Sequence, residues 1–344
     1  MSADVNQFKA MLGEIAGGAA LSRSQAVTAF ETMMAGDATP AQMAGFLMAL
    51  RVRGETVEEI VAGASVLRAK MSPIKAPAGS IDTCGTGGDA SGTYNISTAS
   101  ALVIAACGVP VAKHGNRSLS SKSGSSDVLG ALGVAIDAPF ERIEEAIRDA
   151  GIGFMMAPRH HGAMRHVAGP RVELGTRTIF NLLGPLANPA SVKRQVMGVF
   201  DAKWIEPIAE VLGALGSERV WVVHGAGGLD ELSTCGPTDV AEWTGTTVKR
   251  FTVTPEDAGL PQADLAQLKG GDAGHNARAI QNILRGGQGP FRDATVLAAA
   301  AGLVVAEKAA DLRDGAAMAD AAMRDGRAAE TLAKLVAITT RDES

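Results

Sequence analysis

The sequence predicts an α/β fold in which a mostly parallel sheet is flanked by helices, with a smaller all-helical domain beside it. Two observations lead to this prediction. The first seventy or so residues show only the spacing of amphipathic helices, whereas beyond Ser80 short apolar strands alternate with helices. The length of 344 residues also exceeds one ordinary domain, which favours two domains.

Four short helices are predicted in the N-terminal part. The first is amphipathic, since Phe8, Met11, Leu12 and Ile15 repeat at the i, i+3, i+4, i+7 spacing. Capping motifs predict where the next three begin: Ser22 with Gln25, Thr39 with Pro40, and Thr56 with Glu59. Gly36 is expected to end the second helix, and the prolines that follow the fourth indicate a linker.

Beyond the linker the chain alternates between strands and helices. The predicted strands lie at residues 80–84, 109–112, 153–157, 195–200 and 220–224. Helices are expected from about Asn95, from about Asp127, after Pro139, over 205–215 and after Asn276. The segment 161–183 interrupts this alternation with a helical pattern and is assigned to the helical unit. We therefore predict a helical domain of residues 1–74 plus about 165–185, and an α/β domain of residues 75–164 and 186–344.

Composition and charge argue against several classes of protein. The formal net charge of −5 is unlike that of a sequence-independent nucleic-acid binder, which normally carries a basic surplus. The longest apolar run is too short to cross a membrane, and the N-terminus shows no signal-peptide core. Cys84, Cys107 and Cys235 form neither a zinc spacing nor a disulfide framework, which fits a reducing cytosol. We expect a soluble, cytoplasmic protein without a nucleic-acid or membrane partner.

A glycine-rich loop follows the first predicted strand. In Gly85-Thr-Gly-Gly-Asp89 the glycines lack a Cβ, so backbone N–H groups can approach an anion closely. The loop precedes the helix expected from Asn95, and the N-terminus of a helix favours negative charge. The spacing matches neither a Rossmann fingerprint nor a Walker loop. The pattern indicates phosphate binding, with a simple turn as the alternative.

A second polar loop, Lys113-His-Gly-Asn-Arg-Ser-Leu-Ser-Ser121, follows the next predicted strand. Both loops therefore lie at the carboxyl ends of neighbouring strands, where open α/β sheets bind ligands. A solvated loop explains this concentration of basic and hydroxyl side chains poorly. Together the two loops predict a site for a ligand with more than one phosphate.

Two adjacent carboxylates, Asp230 and Glu231, come shortly after the strand predicted at 220–224. In isolation they are best explained as solvated side chains. Beside a diphosphate they gain a role, because Mg²⁺ typically binds one or two carboxylates together with substrate phosphates.

A basic cluster lies between the third and fourth predicted strands. Its members are His160, His161, Arg165, His166 and Arg171. Their spacing fits no zinc motif. The simplest alternative is a polar helix face on which His161 and Arg165, four residues apart, share one side. Pro170 is expected to break the helical register before Arg171.

Together these motifs resemble those of the anthranilate phosphoribosyltransferases, in the same order along the whole chain. The resemblance rests on residues 82–89, 95–98, 113–121, 124–127, 161–171 and 177–189. It implies transfer of the phosphoribosyl group of 5-phosphoribosyl 1-pyrophosphate to the amine of anthranilate. Pyrimidine nucleoside phosphorylases share the wider nucleoside phosphorylase/phosphoribosyltransferase-like fold and remain the alternative, although they lack the Lys-His-Gly-Asn-Arg run.

The resemblance also implies the residues of the site. Phosphoribosyl pyrophosphate would be bound by Gly85, Gly88, Asp89, Thr93, Asn95, Ile96, Ser97, Thr98, Lys113, His114, Gly115, Asn116, Arg117, Ser118, Leu119, Ser120, Ser121 and Ser125. Anthranilate would be bound by Gly85, Asn116, His161 and Arg171, and Mg²⁺ by Ser97, Asp230 and Glu231. No residue is assigned as a catalytic acid or base. A homodimer formed through the helical unit is implied as well.

Overall fold

The computed structural model describes residues 3–89, 91–117 and 122–341. Its N-terminal unit consists of α1 (Ala3–Ala16), α2 (Arg23–Ala35), α3 (Pro40–Arg53) and α4 (Val57–Lys70). The capping boxes predicted at Ser22 and Thr56 are confirmed, and Thr39 forms a third with Gln42. Gly36 ends α2 in the left-handed conformation, as predicted.

A seven-stranded sheet lies at the centre of the following part. Its strands are β1 (Ile81–Gly85), β2 (Val111–Gly115), β3 (Ile152–Met156), β4 (Arg194–Gly198), β5 (Arg219–Gly225), β6 (Thr238–Trp243) and β7 (Val248–Val253). They lie in the order β3-β2-β1-β4-β5-β6-β7, with parallel pairing from β3 to β5 and antiparallel pairing of β6 and β7. The mostly parallel sheet is thereby confirmed.

The strand bounds differ from the prediction by one or two residues, since β3 ends at Met156 rather than at 157 and β4 ends at Gly198 rather than at 200. The second strand begins at Val111 rather than at 109, because Gly108, at φ +83°, and Pro110 turn the chain after the preceding helix. The hairpin of β6 and β7 is absent from the prediction. Exposed charged residues such as Lys249 and Arg250 interrupt these strands, so they lack the continuous apolar run of a buried parallel strand.

Further α-helices follow α4, and some of them cover the two faces of the sheet. They are α5 (Ile96–Ala106), α6 (Ser125–Ala131), α7 (Phe140–Asp149), α8 (Ala157–His160), α9 (Arg165–Leu174), α10 (Phe180–Leu186), α11 (Ile205–Ala214), α12 (Ala273–Leu284), α13 (Pro290–Val305), α14 (Leu312–Arg324) and α15 (Arg327–Thr339). The predicted break at Pro170 is wrong, because α9 continues through it. Pro170 removes one backbone donor, but it is buried with Val167 where α9 packs on α2 and α3, and this packing keeps the helix continuous.

Two large apolar clusters join these elements. One includes Leu102 of α5 and lies on one face of the sheet, together with α13. The other contains Met197 and Val222 from the opposite face as well as Phe30 of the helical unit. Because α9 and α10 contact α2, α3 and α4, the segment 165–185 lies with the helical unit, while the domain limits stay a prediction. No helix in the described ranges is long and apolar enough to cross a membrane.

Candidate functional site

The glycine-rich loop connects the carboxyl end of β1 to the N-terminus of α5. Gly87 and Gly88 adopt φ values of +69° and +78°, which residues with a Cβ rarely adopt. Gly85 is needed for another reason, since a Cβ there would lie 2.3 Å from Oδ2 of Asp230. The same carboxylate oxygen accepts a hydrogen bond from the Gly87 N–H at 2.6 Å. One member of the acidic pair therefore contacts the loop directly.

The other member of the acidic pair contacts the first turn of α5. Oε1 of Glu231 accepts the backbone N–H of Ser97 at 3.1 Å. Ile96 and Thr98, on either side of Ser97, are buried and hold this turn against the core. The predicted metal residues Ser97 and Glu231 thus meet at the start of α5, and Asp230 lies next to them in sequence, at the glycine loop.

Asn95 and Thr93, just before α5, are held by parts of the chain far away in sequence. Nδ2 of Asn95 donates to the carbonyl of Ser123, and its Oδ1 accepts a hydrogen bond from Nδ2 of Asn276 at 2.9 Å. Thr93 forms an isolated antiparallel bridge with Lys269. This part of the predicted donor site is therefore positioned by the segment that leads into α12.

Lys113, near the end of β2, lies beneath the two loops. Its side chain is 1% exposed, and Nζ donates to the carbonyl of Thr83 at 2.6 Å. Burial raises the pKa values of Asp82 and Glu231, and the positive charge of Lys113 opposes that rise. Lys113 therefore influences the site through its charge, from a position in the protein interior and not on the surface.

The second loop begins next to the first. Asn116 and Arg117 are exposed, and the Asn116 carbonyl accepts a hydrogen bond from Oγ of Ser125 at 3.3 Å. A Cβ on Gly115 would lie 2.2 Å from that hydroxyl, so glycine is required for this approach. The predicted donor-binding residues Ser118, Leu119, Ser120 and Ser121 lie outside the described residues.

The carboxylates of the site perturb one another. Burial raises the pKa of Asp82 to about 6 and that of Glu231 to about 7. Burial also raises the pKa of Asp230, and the neighbouring charges of Asp89 and Glu231 raise it further. Since like charges in a buried site disfavour ionisation, a bound cation would favour the ionised form of all three.

This donor set suits Mg²⁺, which prefers oxygen ligands. Oδ2 of Asp89 is buried and has no hydrogen-bond partner within the described chain. In the same residues, no group of three or more His, Cys, Asp or Glu side chains is arranged to hold a metal by itself. The residues therefore fit a cation that is bound jointly by protein carboxylates and substrate phosphates.

His161 lies beside the second loop. Its ring centre is 5.1 Å from that of His114, and both side chains are buried. Burial lowers the pKa of His161 to about 4 and also lowers the pKa of His114, so both imidazoles are neutral near pH 7. The helix face proposed for His161 and Arg165 is wrong, because α8 ends at His160 and His161 has non-helical angles.

Arg171 lies on α9, with the helical unit. Its guanidinium carbon is 5.3 Å from the ring centre of Phe180, and burial lowers its pKa. The structure thus brings His161 to the second loop and places Arg171 on a different element. No hydrogen bond or ring contact within the described ranges joins Arg171 to Asn116 or His161.

Three further polar residues contribute to the site and are absent from the predicted set. Asn188 donates to Oδ2 of Asp82 at 2.8 Å and to the carbonyl of Ala112 at 2.9 Å, which ties β1 to β2. Asn276 fixes the first turn of α5, and Arg177 lies against the glycine loop. The Asn-Pro dipeptide at Asn188 is a turn signal, but nothing local marks Asn276 on its helix.

Sequence models of a glycosyl transferase family match most of the chain. The model of the a/b domain matches residues 78–329, and that of the helical bundle domain matches residues 9–71. An anthranilate phosphoribosyltransferase of Paramagnetospirillum magneticum is 61% identical over 334 residues, which covers 97% of this chain and 96% of the relative. That of Rhodospirillum rubrum is 60% identical over 333 residues, which covers 97% of this chain and 96% of the relative.

Solved structures of similar proteins share the fold. The anthranilate phosphoribosyltransferase of Thermus thermophilus has a TM-score of 0.91 at 44% identity, covering 96% of this chain and 99% of its own. That of Saccharomyces cerevisiae, in complex with PRPP and Mg, has a TM-score of 0.84 at 27% identity, covering 93% and 94%. A further structure of the yeast protein contains 4-fluoroanthranilate and has a TM-score of 0.84 at 26% identity, covering 93% and 94%.

Proposed function

The chain belongs to the anthranilate phosphoribosyltransferases, and on that premise we propose how its own residues carry out the reaction. It transfers the phosphoribosyl group of 5-phosphoribosyl 1-pyrophosphate to the amine of anthranilate, in the second step of tryptophan biosynthesis from chorismate. The products are N-(5-phosphoribosyl)anthranilate and pyrophosphate. The alternative, a pyrimidine nucleoside phosphorylase, is not favoured, because relatives at 60 and 61% identity carry the transferase name.

The positions of the two loops and of the acidic pair support the assignment of the donor site. The two predicted loops lie at the carboxyl ends of the adjacent strands β1 and β2, and the acidic pair reaches the first loop and α5 from β5. A diphosphate bound there would meet the backbone N–H groups of the glycine loop and the N-terminus of α5. We therefore assign the donor to the predicted residues of these two loops, which are Gly85, Gly88, Asp89, Thr93, Asn95, Ile96, Ser97, Thr98, Lys113, His114, Gly115, Asn116, Arg117, Ser118, Leu119, Ser120, Ser121 and Ser125.

Mg²⁺ is the cofactor of the reaction. We propose Ser97, Asp230 and Glu231 as its protein ligands, because they lie beside the loop and the desolvation that raises the pKa of both carboxyl groups would be offset by a bound cation. When bound, Mg²⁺ neutralises charge on the diphosphate.

The chemical step needs charge stabilisation more than it needs proton transfer. The bond from ribose C1 to the pyrophosphate oxygen breaks while the anthranilate nitrogen forms a bond to C1. Negative charge then grows on the leaving pyrophosphate, and the positive end of the α5 dipole together with the remaining N–H groups of the glycine loop would stabilise it. The neutral aryl amine attacks first, and the proton that its nitrogen then loses passes to water or to the departing pyrophosphate, so we assign no catalytic base. Holding the two substrates in line supplies much of the remaining rate enhancement.

We assign the acceptor to Gly85, Asn116, His161 and Arg171. Because the pKa of His161 is about 4, its imidazole can donate or accept a hydrogen bond but brings no charge near pH 7. The charge of the anthranilate carboxylate is therefore balanced by Arg171, whose planar guanidinium suits a carboxylate. Since Arg171 belongs to the helical side and the other three to the sheet side, closure of the helical unit over the loops would complete this site.

The function and the acceptor assignment are tested by the loss of anthranilate fluorescence on addition of phosphoribosyl pyrophosphate and Mg²⁺. We expect Arg171→Ala to raise the KM for anthranilate about 10- to 100-fold, the cost of a lost hydrogen bond to a charged group, with little change in the KM for the donor. Arg165→Ala, an exposed position on the same helix, is the matched control.

No fluorescence loss with the wild-type protein would contradict the function. Equal kinetics for the wild type and Arg171→Ala would contradict the acceptor role of Arg171 alone.

We also propose a homodimer formed through the helical unit, in the cytoplasm. Val52 and Val172 are 82% and 78% exposed and stand near the carboxyl ends of α3 and α9, which contact each other. They offer a second copy an apolar face.

The free thiols of the three cysteines support a reducing compartment.

A further inference from the structure

The positive charge of Lys113, which is buried under the glycine loop, is largely balanced by neighbouring carboxylates. Lys113 is buried below it and faces the carboxylates of Asp82 and Glu231. Asp89 and Asp230 place two more acidic groups at the loop itself. A diphosphate carries several negative charges, so a cationic side chain, in addition to the metal ion, would stabilise it at this loop.

Arg177 lies on this loop from the opposite side. A Cβ on Gly88 would lie 3.1 Å from Nε and 3.4 Å from Nη2 of Arg177, so the guanidinium lies beside the space that a side chain at Gly88 would occupy. The same guanidinium lies over the ring of Phe200, with Cζ 4.3 Å from the ring centre. Within residues 3–89, 91–117 and 122–341, Arg177 forms no ion pair. Its charge is therefore available to a ligand.

Both sides of this contact are anchored. Arg51 of α3 donates to Oγ1 of Thr176 at 2.6 Å and to the carbonyl of Arg177, which fixes the backbone of Arg177 to the helical unit. On the other side, the backbone N–H of Phe200 donates to Oγ1 of Thr86 at 3.1 Å, which fixes the backbone of Phe200 to the glycine loop. Arg177 thus connects the helical unit to the donor loop.

On the basis of the proposed function, we propose that Arg177 binds the diphosphate of the phosphoribosyl donor from the helical side. A planar guanidinium can donate two parallel hydrogen bonds to phosphate oxygens, and Arg177 already lies where the loop N–H groups would meet that diphosphate. The anthranilate carboxylate is a poorer partner, because Arg177 lies beside Gly88, which belongs to the donor set alone, whereas Arg171 of the acceptor set lies over Phe180. Donor binding would then draw the helical unit and the loop together.

The test is steady-state kinetics, with each substrate varied in turn, on Arg177→Ala, Arg177→Gln and Arg177→Lys. We expect the Ala and Gln variants to raise the KM for the donor about 10- to 100-fold, as for a lost hydrogen bond to a charged group, and to leave the KM for anthranilate within about twofold. Arg177→Lys should recover part of the loss, because lysine keeps the positive charge but lacks the two parallel N–H donors of the guanidinium. Arg148→Ala on α7, whose guanidinium pairs with Asp149, is the matched control.

Calorimetric titration with the donor and Mg²⁺, without anthranilate, should show that the affinity of the Ala and Gln variants for the donor falls by a factor similar to the rise in its KM. An unchanged donor KM and affinity in Arg177→Gln, with wild-type turnover intact, overturns the inference and leaves the function standing. A rise confined to the KM for anthranilate also overturns it. Absence of wild-type turnover counts against the proposed function instead. Thermal unfolding identifies folded variants, and Arg177→Gln and Arg177→Lys supply the test if Arg177→Ala does not fold.

Discussion

Asp230 approaches β1 and β4 so closely that neither strand has room for a side chain beside it. A Cβ on Gly85 would lie 2.3 Å from Oδ2 of Asp230, and one on Gly198 would lie 1.6 Å from its carbonyl oxygen. Such distances are far below van der Waals contact, so an added methyl group would displace the carboxylate from the Gly87 N–H. At the scale of single residues, two glycines thus decide where the acidic pair lies.

Gly85→Ala should therefore reduce activity strongly. We expect kcat/KM for the donor to fall by more than about 100-fold and the free energy of unfolding to fall by about 1–3 kcal/mol, the typical cost of overpacking. Steady-state kinetics and urea unfolding measure the two effects. Gly130→Ala on α6 is the control, because a Cβ at that position meets nothing within 4 Å. Similar activity in both variants would contradict the close approach of Asp230.

His161 should make the stability of the protein depend on pH. Its pKa is about 4 in the folded protein against an ordinary value of 6.5. Above pH 6.5 the imidazole is neutral in both states, but as the pH falls from 6.5 toward 4 only the unfolded chain binds the proton. The free energy of unfolding then decreases, by about 2 kcal/mol between pH 7 and pH 5 from this group.

His161→Asn should remove that share of the acid-induced loss, as measured by urea unfolding at pH 7 and at pH 5. The exposed His275→Asn is the matched control. If His161→Asn and the wild type lose the same stability over this range, the burial of a neutral imidazole at this position is wrong.

At the scale of elements, the donor site depends on a helix that is remote in sequence. Asp272 caps α12 by accepting the N–H of His275 at 2.8 Å. In the first turn of α12, Oδ1 of Asn276 accepts the Gly271 N–H at 2.8 Å while Nδ2 reaches Asn95 before α5. Two helix starts thereby share one hydrogen-bond network, and α12 sets the position of the first turn of α5.

Asn276→Ala should loosen that turn without touching the substrates. We expect the KM for the donor to rise about 10-fold and the free energy of unfolding to fall by about 1–3 kcal/mol, because a buried hydrogen-bond partner is lost. The comparison is with Asn282→Ala, an exposed position on the same helix. An effect on the KM for anthranilate alone would show that Asn276 acts elsewhere.

At the scale of the whole molecule, the helical unit and the sheet are built on a common core. Met197 of β4 and Val222 of β5 belong to the same apolar cluster as Phe30 of α2. The surface of the helical unit, by contrast, leaves Val52 and Val172 largely exposed. The inner side of this unit therefore stabilises the chain, and its outer side is available to a second copy.

Val52→Asp tests the proposed homodimer and is expected to weaken it. A charge in an apolar contact is costly unless it is paired, so the dissociation constant is expected to rise by at least about 10-fold. Light scattering after gel filtration measures the mass across a dilution series. Thr246→Asp, exposed in the turn between β6 and β7, is the control. A wild-type protein that is monomeric at all concentrations would refute the dimer.

Short stretches of contiguous residues determined the secondary structure of much of this protein. The caps at Ser22, Thr39 and Thr56, the strand and helix alternation, and the glycines that follow β1 depend on backbone angles and on neighbours within a few positions. These requirements are written into short stretches of sequence. They are sufficient to predict the fold class and the place of the two loops at one edge of the sheet.

The tertiary structure alone decided which side chains are buried and what they contact. Lys113 lies beneath its loop, α9 continues through Pro170, and Arg177 reaches Gly88, because each depends on partners brought together from distant parts of the chain. The half-exposed hairpin of β6 and β7 escaped prediction for the same reason, since pairing with β5 stabilises it more than its own apolar content does. Burial and long-range contact are properties of the packed chain, and no local pattern specifies them.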